Sequence, residues 1–111
     1  EYLIKSYTHA QIIEQVKLGK EGLGDIVKVQ ALYKEQDIAG MYDFMATHDF
    51  TDENTLHWML EVRNTNWLNK MPEMMKNKSS VFAVGSAHLG GEIGIIQKLR
   101  SKGYKVTPVL N

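Results

Sequence analysis

The chain has 111 residues, 43 % of them apolar and 23 % charged, the composition of one ordinary globular domain. Thirteen basic residues balance thirteen acidic ones, so there is no basic footprint for nucleic acid and no acidic tail. No apolar run approaches the ~18 residues of a membrane span, and the lack of cysteine excludes disulfides, thiolate metal sites and cysteine nucleophiles. The chain starts at Glu1 rather than Met and shows no signal-like segment, as expected of a mature, trimmed or partial chain.

Residues 1 to about 78 read as helical throughout, and residues 79–111 as strand, helix, strand within one domain. The first helix runs from about Thr8 to Lys17, with Ile12, Ile13 and Val16 on one side and Ser6 or Thr8 as its cap. Gly19, Gly22 and Gly24 then punctuate the chain. A second helix follows Gly24 or Asp25, with Ile26, Val29, Leu32 and Tyr33 at helical spacing. A short third helix follows Asp37, with Met41, Phe44 and Met45 inward. A fourth starts after Thr51, where Asp52 and Glu53 suit the positive end of its dipole, and runs to about Lys70 before a break at Pro72.

Val81-Phe82-Ala83-Val84 is an uninterrupted apolar run, the pattern of a strand buried on both faces. A helix from Glu92 to Lys102 follows, stopped by Gly103, and then a strand from Tyr104 to Val109 with Pro108 at its edge. These three elements predict a βαβ unit with two parallel strands, and the whole predicts an α+β fold under about four helices. Two parallel strands do not make a stable sheet alone. The expectation is therefore a sheet completed by a segment of a longer chain, of which this is the C-terminal fragment, or by a second copy in a homo-oligomer.

Two places carry chemistry. On the fourth helix, angles counted from Leu56 put Arg63 at about −20°, inside the apolar stripe, and Asn64 at about +80°, on its border. A charge on a core-facing stripe needs a partner. Either the pair faces a polar site at the edge of the core, or Arg63 snorkels or pairs with a carboxylate for structural reasons. The second place is Gly85-Ser86-Ala87-His88-Leu89-Gly90-Gly91, where small residues permit close approach to the main chain. His88 is its one titratable side chain, able to bind a metal or act as a base, or else to cap or pack. Glu92, four residues on, is a second ligand, a base or a favourable acid at a helix start. The loop is neither a P-loop nor a strict dinucleotide fingerprint. Glu53 and His57 share a helix face that two metal ligands could use, but an ion pair explains them as well. His9 and His48 read as solvated, and the six Met residues as core filler.

Three segments resemble the C-terminal part of the TraB/GumN family, which is related to the Tiki metalloproteases. Tyr33-Lys34-Glu35-Gln36-Asp37-Ile38-Ala39 is similar to the family's segment before a short helix, with Gln36 where glycine is usual. Glu61-Val62-Arg63-Asn64-Thr65-Asn66-Trp67 is similar to its arginine–asparagine helix. Val84-Gly85-Ser86-Ala87-His88-Leu89-Gly90-Gly91-Glu92, followed by Gly94, Leu99, Gly103-Tyr104 and Val106, resembles its terminal glycine–x–x–histidine signature, helix and closing strand.

The resemblance implies a metal-dependent hydrolase, peptidase-like and acting on a peptide substrate, whose site is shared between two halves of a longer chain. His88 would be a metal ligand, for Mn, Co or Zn, or a site histidine. Arg63 and Asn64 would line the catalytic site, with Asn64 orienting a water or a carbonyl, and Gly85 and Gly91 would shape the loop. The family's other glycine–x–x–histidine motif is not in this sequence. Catalytic metal sites use about three protein ligands, so the 111 residues alone are expected to be inactive. Family members are often exported, an expectation for the compartment from the resemblance alone. The alternatives are a non-catalytic module binding haem or another ligand, and a structural assembly domain.

Overall fold

A computed structural model describes residues 1–18, 23–47 and 51–110. Its helices are α1 (Tyr2–Ser6), α2 (His9–Leu18), α3 (Leu23–Lys34), α4 (Ile38–Ala46), α5 (Glu53–Leu56), α6 (Val62–Leu68), α7 (Met71–Lys76) and α8 (Ile95–Ser101). A π-turn, His57–Glu61, joins α5 to α6, and a 3₁₀ turn, Ser86–His88, stands between α7 and α8. Gly19, Gly22 and His48 lie outside the described residues.

Side-chain caps explain the starts of α4 and α5. Asp37 accepts from Gly40 N at 2.9 Å, and Asp52 from Thr55 N at 2.7 Å. An added Cβ on Gly40 would collide with the Asp37 carboxylate, so that cap requires glycine three residues on. Pro72 sits in the first turn of α7, where its missing N–H costs nothing.

Two helices end in the same left-handed motif. At α8, Tyr104 N bonds Leu99 O at 3.1 Å and Gly103 N bonds Arg100 O at 2.9 Å, with Gly103 at φ +88°. At α3, Asp37 N bonds Leu32 O at 3.0 Å and Gln36 N bonds Tyr33 O at 3.1 Å, with Gln36 at φ +58°. Gln36 thus occupies the position where such a cap favours glycine. Left-handed backbone costs a non-glycine residue ~1–2 kcal/mol, part of which glycine returns through unfolded-chain entropy. We expect Gln36→Gly to stabilise the fold by ~0.5–1 kcal/mol, read as a raised thermal midpoint. A lowered midpoint would show that the Gln36 side chain does more than fill the turn.

The α+β expectation is corrected. Among the described residues there is no strand and no sheet, and the architecture is helical. Residues 81–84 and 104–109 take no regular secondary structure, and no backbone hydrogen bond joins them. In the second segment Val106 O accepts from Arg100 Nε at 3.3 Å and Nη2 at 2.9 Å, which ties it back to α8. Phe82 and Val84 pack on the core while Val81 and Ala83 face outward. The period of two is that of extended backbone, and a sheet needs a ladder partner in addition.

The predicted helix Glu92–Lys102 is also shorter than expected. It begins after Gly94, so Glu92 lies in the loop before it.

The apolar core is small: Leu68, Met71 and Ile95, with Trp67, Met75, Phe82, Val84 and Leu99 around them. Leu60 is buried above it where α1 crosses the π-turn. Met41, Phe44 and Met45 on α4 are half-buried. Ile12, Ile13, Val16, Ile26 and Tyr33, expected inward, are exposed. Their helical spacing is real, but no other described element covers those faces. No helix among the described residues is long and apolar enough to cross a membrane.

Candidate functional site

The π-turn sets up the site. Val62 N–H reaches back to His57 O, five residues away, so the helix carries one residue more than an α-turn would. That extra residue sets everything after it back by about 100°. Asn64 moves from about +80° to about −20°, into the core, and Arg63 from about −20° to about −120°, onto its flank. Burial follows the shifted count. Asn64 is 1 % exposed, Leu68 is buried, and Arg63 and Trp67 are half-buried. Sequence periodicity at a uniform 100° missed Leu68 for this reason. Trp67, which a uniform 100° count puts at about +20° on the apolar stripe, carried no sequence signal for its ring contact with His88.

Asn64 enters the glycine loop and is used completely. Its Nδ2 donates to Ile93 O at 2.9 Å and to His88 O at 3.3 Å, and its Oδ1 lies 2.8 Å from His88 Nδ1. The two carbonyls fix which end of the amide is nitrogen, because an amide oxygen would repel them. His88 Nδ1 must then carry the proton, which leaves the lone pair on Nε2. The amide holds the loop and the imidazole, and has no donor left to orient a water.

Glycine lets the loop close around that amide. An added Cβ at Gly94 would meet the carbonyls of Leu89 and Gly90, and one at Gly91, at φ +72°, would enter the Tyr42 ring. One at Gly90 would lie 2.6 Å from the Ile38 carbonyl. The loop therefore seats directly on α4. Gly85 differs: its φ of −63° suits any residue, and an added Cβ meets only His88 Cδ2 at 3.8 Å.

His88 is 6 % exposed, with its ring 4.8 Å from that of Trp67. Burial lowers its pKa below the ordinary histidine value, and the Arg63 charge lowers it further. The unfolded chain binds a proton on His88 near pH ~6.5, while the folded chain stays neutral to lower pH. Stability is thus full above that pH and falls as pH drops from ~6.5 through the folded pKa. We expect the urea midpoint to fall between pH 7.5 and 5.5, and less so in His88→Gln. Equal falls in both proteins would assign the pH dependence to other groups.

The sequence-derived site residues divide accordingly. Arg63, Asn64 and His88 converge, joined by Trp67, and Gly91 shapes the loop. Glu92 is exposed. His57 pairs with Glu61 at 3.0 Å on the surface rather than with Glu53, and His9 is exposed. None of the described cavities is lined by His88. One of about 340 Å³ lies between the α3–α4 turn and the final segment, lined by residues including Leu32, Gln36, Ile38, Ser86, Leu89 and Val109.

Among the described residues the donor set is too small to hold a catalytic metal by itself. Among the described residues no three of His, Cys, Asp or Glu come together. The Asn64 amide is spent on the loop, and His88 offers one nitrogen in the field of a guanidinium.

No curated protein and no solved structure is significantly similar to the chain. Residues 3–108 match the TraB/PrgY/gumN family, nearly the whole length and every residue of the site just described. The chain belongs to the TraB/PrgY/gumN family.

Proposed function

We propose that the chain contributes the His88 loop to a hydrolytic, peptidase-like centre of the TraB/PrgY/gumN type. One observation carries this: His88 Nδ1 bonded at 2.8 Å to an Asn64 amide that two loop carbonyls lock in place. A fixed tautomer with Nε2 available is what a general base needs, and metal-bound histidines are held in the same way. As a base, Nε2 takes a proton from water while Asn64 Oδ1 keeps hold of Nδ1–H. The nearby Arg63 charge makes the imidazolium short-lived, so the proton is readily returned. As a ligand, His88 would supply one donor for a divalent ion, the others coming from outside the described residues.

Calorimetric titration with Mn²⁺, Co²⁺ and Zn²⁺ separates the two roles. Heat seen with the 111-residue chain and absent in His88→Ala supports the ligand role. Superimposable titrations for the two proteins show that these 111 residues hold no metal through His88 and favour the base.

A further inference from the structure

Arg63 is a half-buried cation with no carboxylate within ion-pair distance among the described residues. Its one hydrogen bond among the described residues, from Nη1 to Met59 O, is long at 3.4 Å. Its guanidinium carbon lies 5.1 Å from the centre of the Trp67 ring, and the His88 ring lies 4.8 Å from the same ring. Contact with an aromatic face satisfies the guanidinium's flat surface and leaves its N–H edge to donate. Of five donors, one is weakly used. Withdrawing a charge from water without a partner costs stability, and Arg100 shows the alternative in this same chain: it spends two nitrogens on Val106 O.

We infer that Arg63, held against Trp67, anchors an oxyanion group of the substrate, a carboxylate or a phosphoryl group, beside His88. Two oxygens of either group match the spacing of the guanidinium fork. The inference rests on the His88 loop being a substrate site. It adds that the substrate bears an anion near the bond that reacts, and makes Arg63 the residue that selects for it.

The test uses acetate and phosphate in separate titrations of the 111-residue chain, at constant ionic strength and without metal. The chain has two tryptophans. A Trp58→Phe background leaves Trp67 as the reporter, since Trp58 stands apart beneath Lys5 and against His57. We expect a saturable change in Trp67 emission with at least one anion, and the tighter arm identifies carboxylate or phosphate. Arg63→Gln should weaken that binding at least tenfold and Arg63→Lys less, because a lysine keeps the charge and loses the fork. Arg100→Gln should bind as the parent does. A thermal melt confirms that each variant folds, and Arg63→Lys decides if Arg63→Gln does not.

An absent saturable response with both anions overturns the inference. So does unchanged binding in a folded Arg63→Gln, or a loss in Arg100→Gln as large as that in Arg63→Gln. Metal plays no part in this titration, so its failure and failure of the metal-ligand role are separate results.

Discussion

Asn64→Asp lowers the unfolding free energy by about 3 kcal/mol or more, a large share of the ~5–15 kcal/mol that a domain of this kind has. The substitution changes one NH₂ to an oxygen. It removes both donors from the carbonyls of His88 and Ile93 and sets a charge against them at a site 1 % exposed. A buried acceptor left without its partner costs ~1–3 kcal/mol, and two are affected. The contact to His88 Nδ1 survives, so the loss reports the loop closure rather than the imidazole. Urea unfolding at pH 7.5 measures it. Asn66→Asp, on the exposed side of the same helix and bonded among the described residues to the Tyr2 hydroxyl, should change stability by no more than ~0.5 kcal/mol. Equal effects at 64 and 66 would place the Asn64 amide in solvent and remove the basis of the site.

Gly94→Ala has a comparable cost, about 3 kcal/mol, for a steric reason. The new methyl group would meet two main-chain carbonyls, which cannot swing aside as a side-chain end can. Gly91→Ala is also destabilising, through its left-handed φ and the Tyr42 ring. Gly85→Ala, in the same motif, should stay within ~0.5 kcal/mol because its added Cβ finds ordinary contact distance. Thermal unfolding of the three variants ranks them. A Gly85→Ala as damaging as Gly94→Ala would mean that the loop approaches something at Gly85 beyond the described residues.

Much of the site was legible before the fold. Arg63 stood out because a charge occupied an apolar stripe, and His88 because one titratable group sat among small residues. Which of the pair would be buried was not legible. The π-turn at His57–Glu61 exchanges their places, and no residue in that segment announces a turn of one extra residue. Gln36 was readable only as a departure from the family's usual glycine; its φ of +58° supplies the reason that glycine is usual.

The βαβ expectation failed for a different cause. Residues 81–84 and 104–109 have the β-branched and aromatic composition of strands, which favours extended backbone, yet neither forms a strand. Extended backbone is a local property. A strand is a pairing between two segments, and the Val106 carbonyl bonds Arg100 instead.

The sequence by itself therefore determined what is local: the capped helix starts at Asp37 and Asp52, the glycine stop at Gly103, and the two segments with chemistry. Each depends on residues within one or two turns of one another, whose propensities and hydrogen bonds act at short range. The tertiary structure alone decided what is shared across the chain. It put Asn64 rather than Arg63 into the core, seated the glycine loop on Tyr42, and chose the tautomer of His88 through an amide 24 residues away. Those outcomes depend on which surfaces meet, and a period counted along one helix carries no record of that.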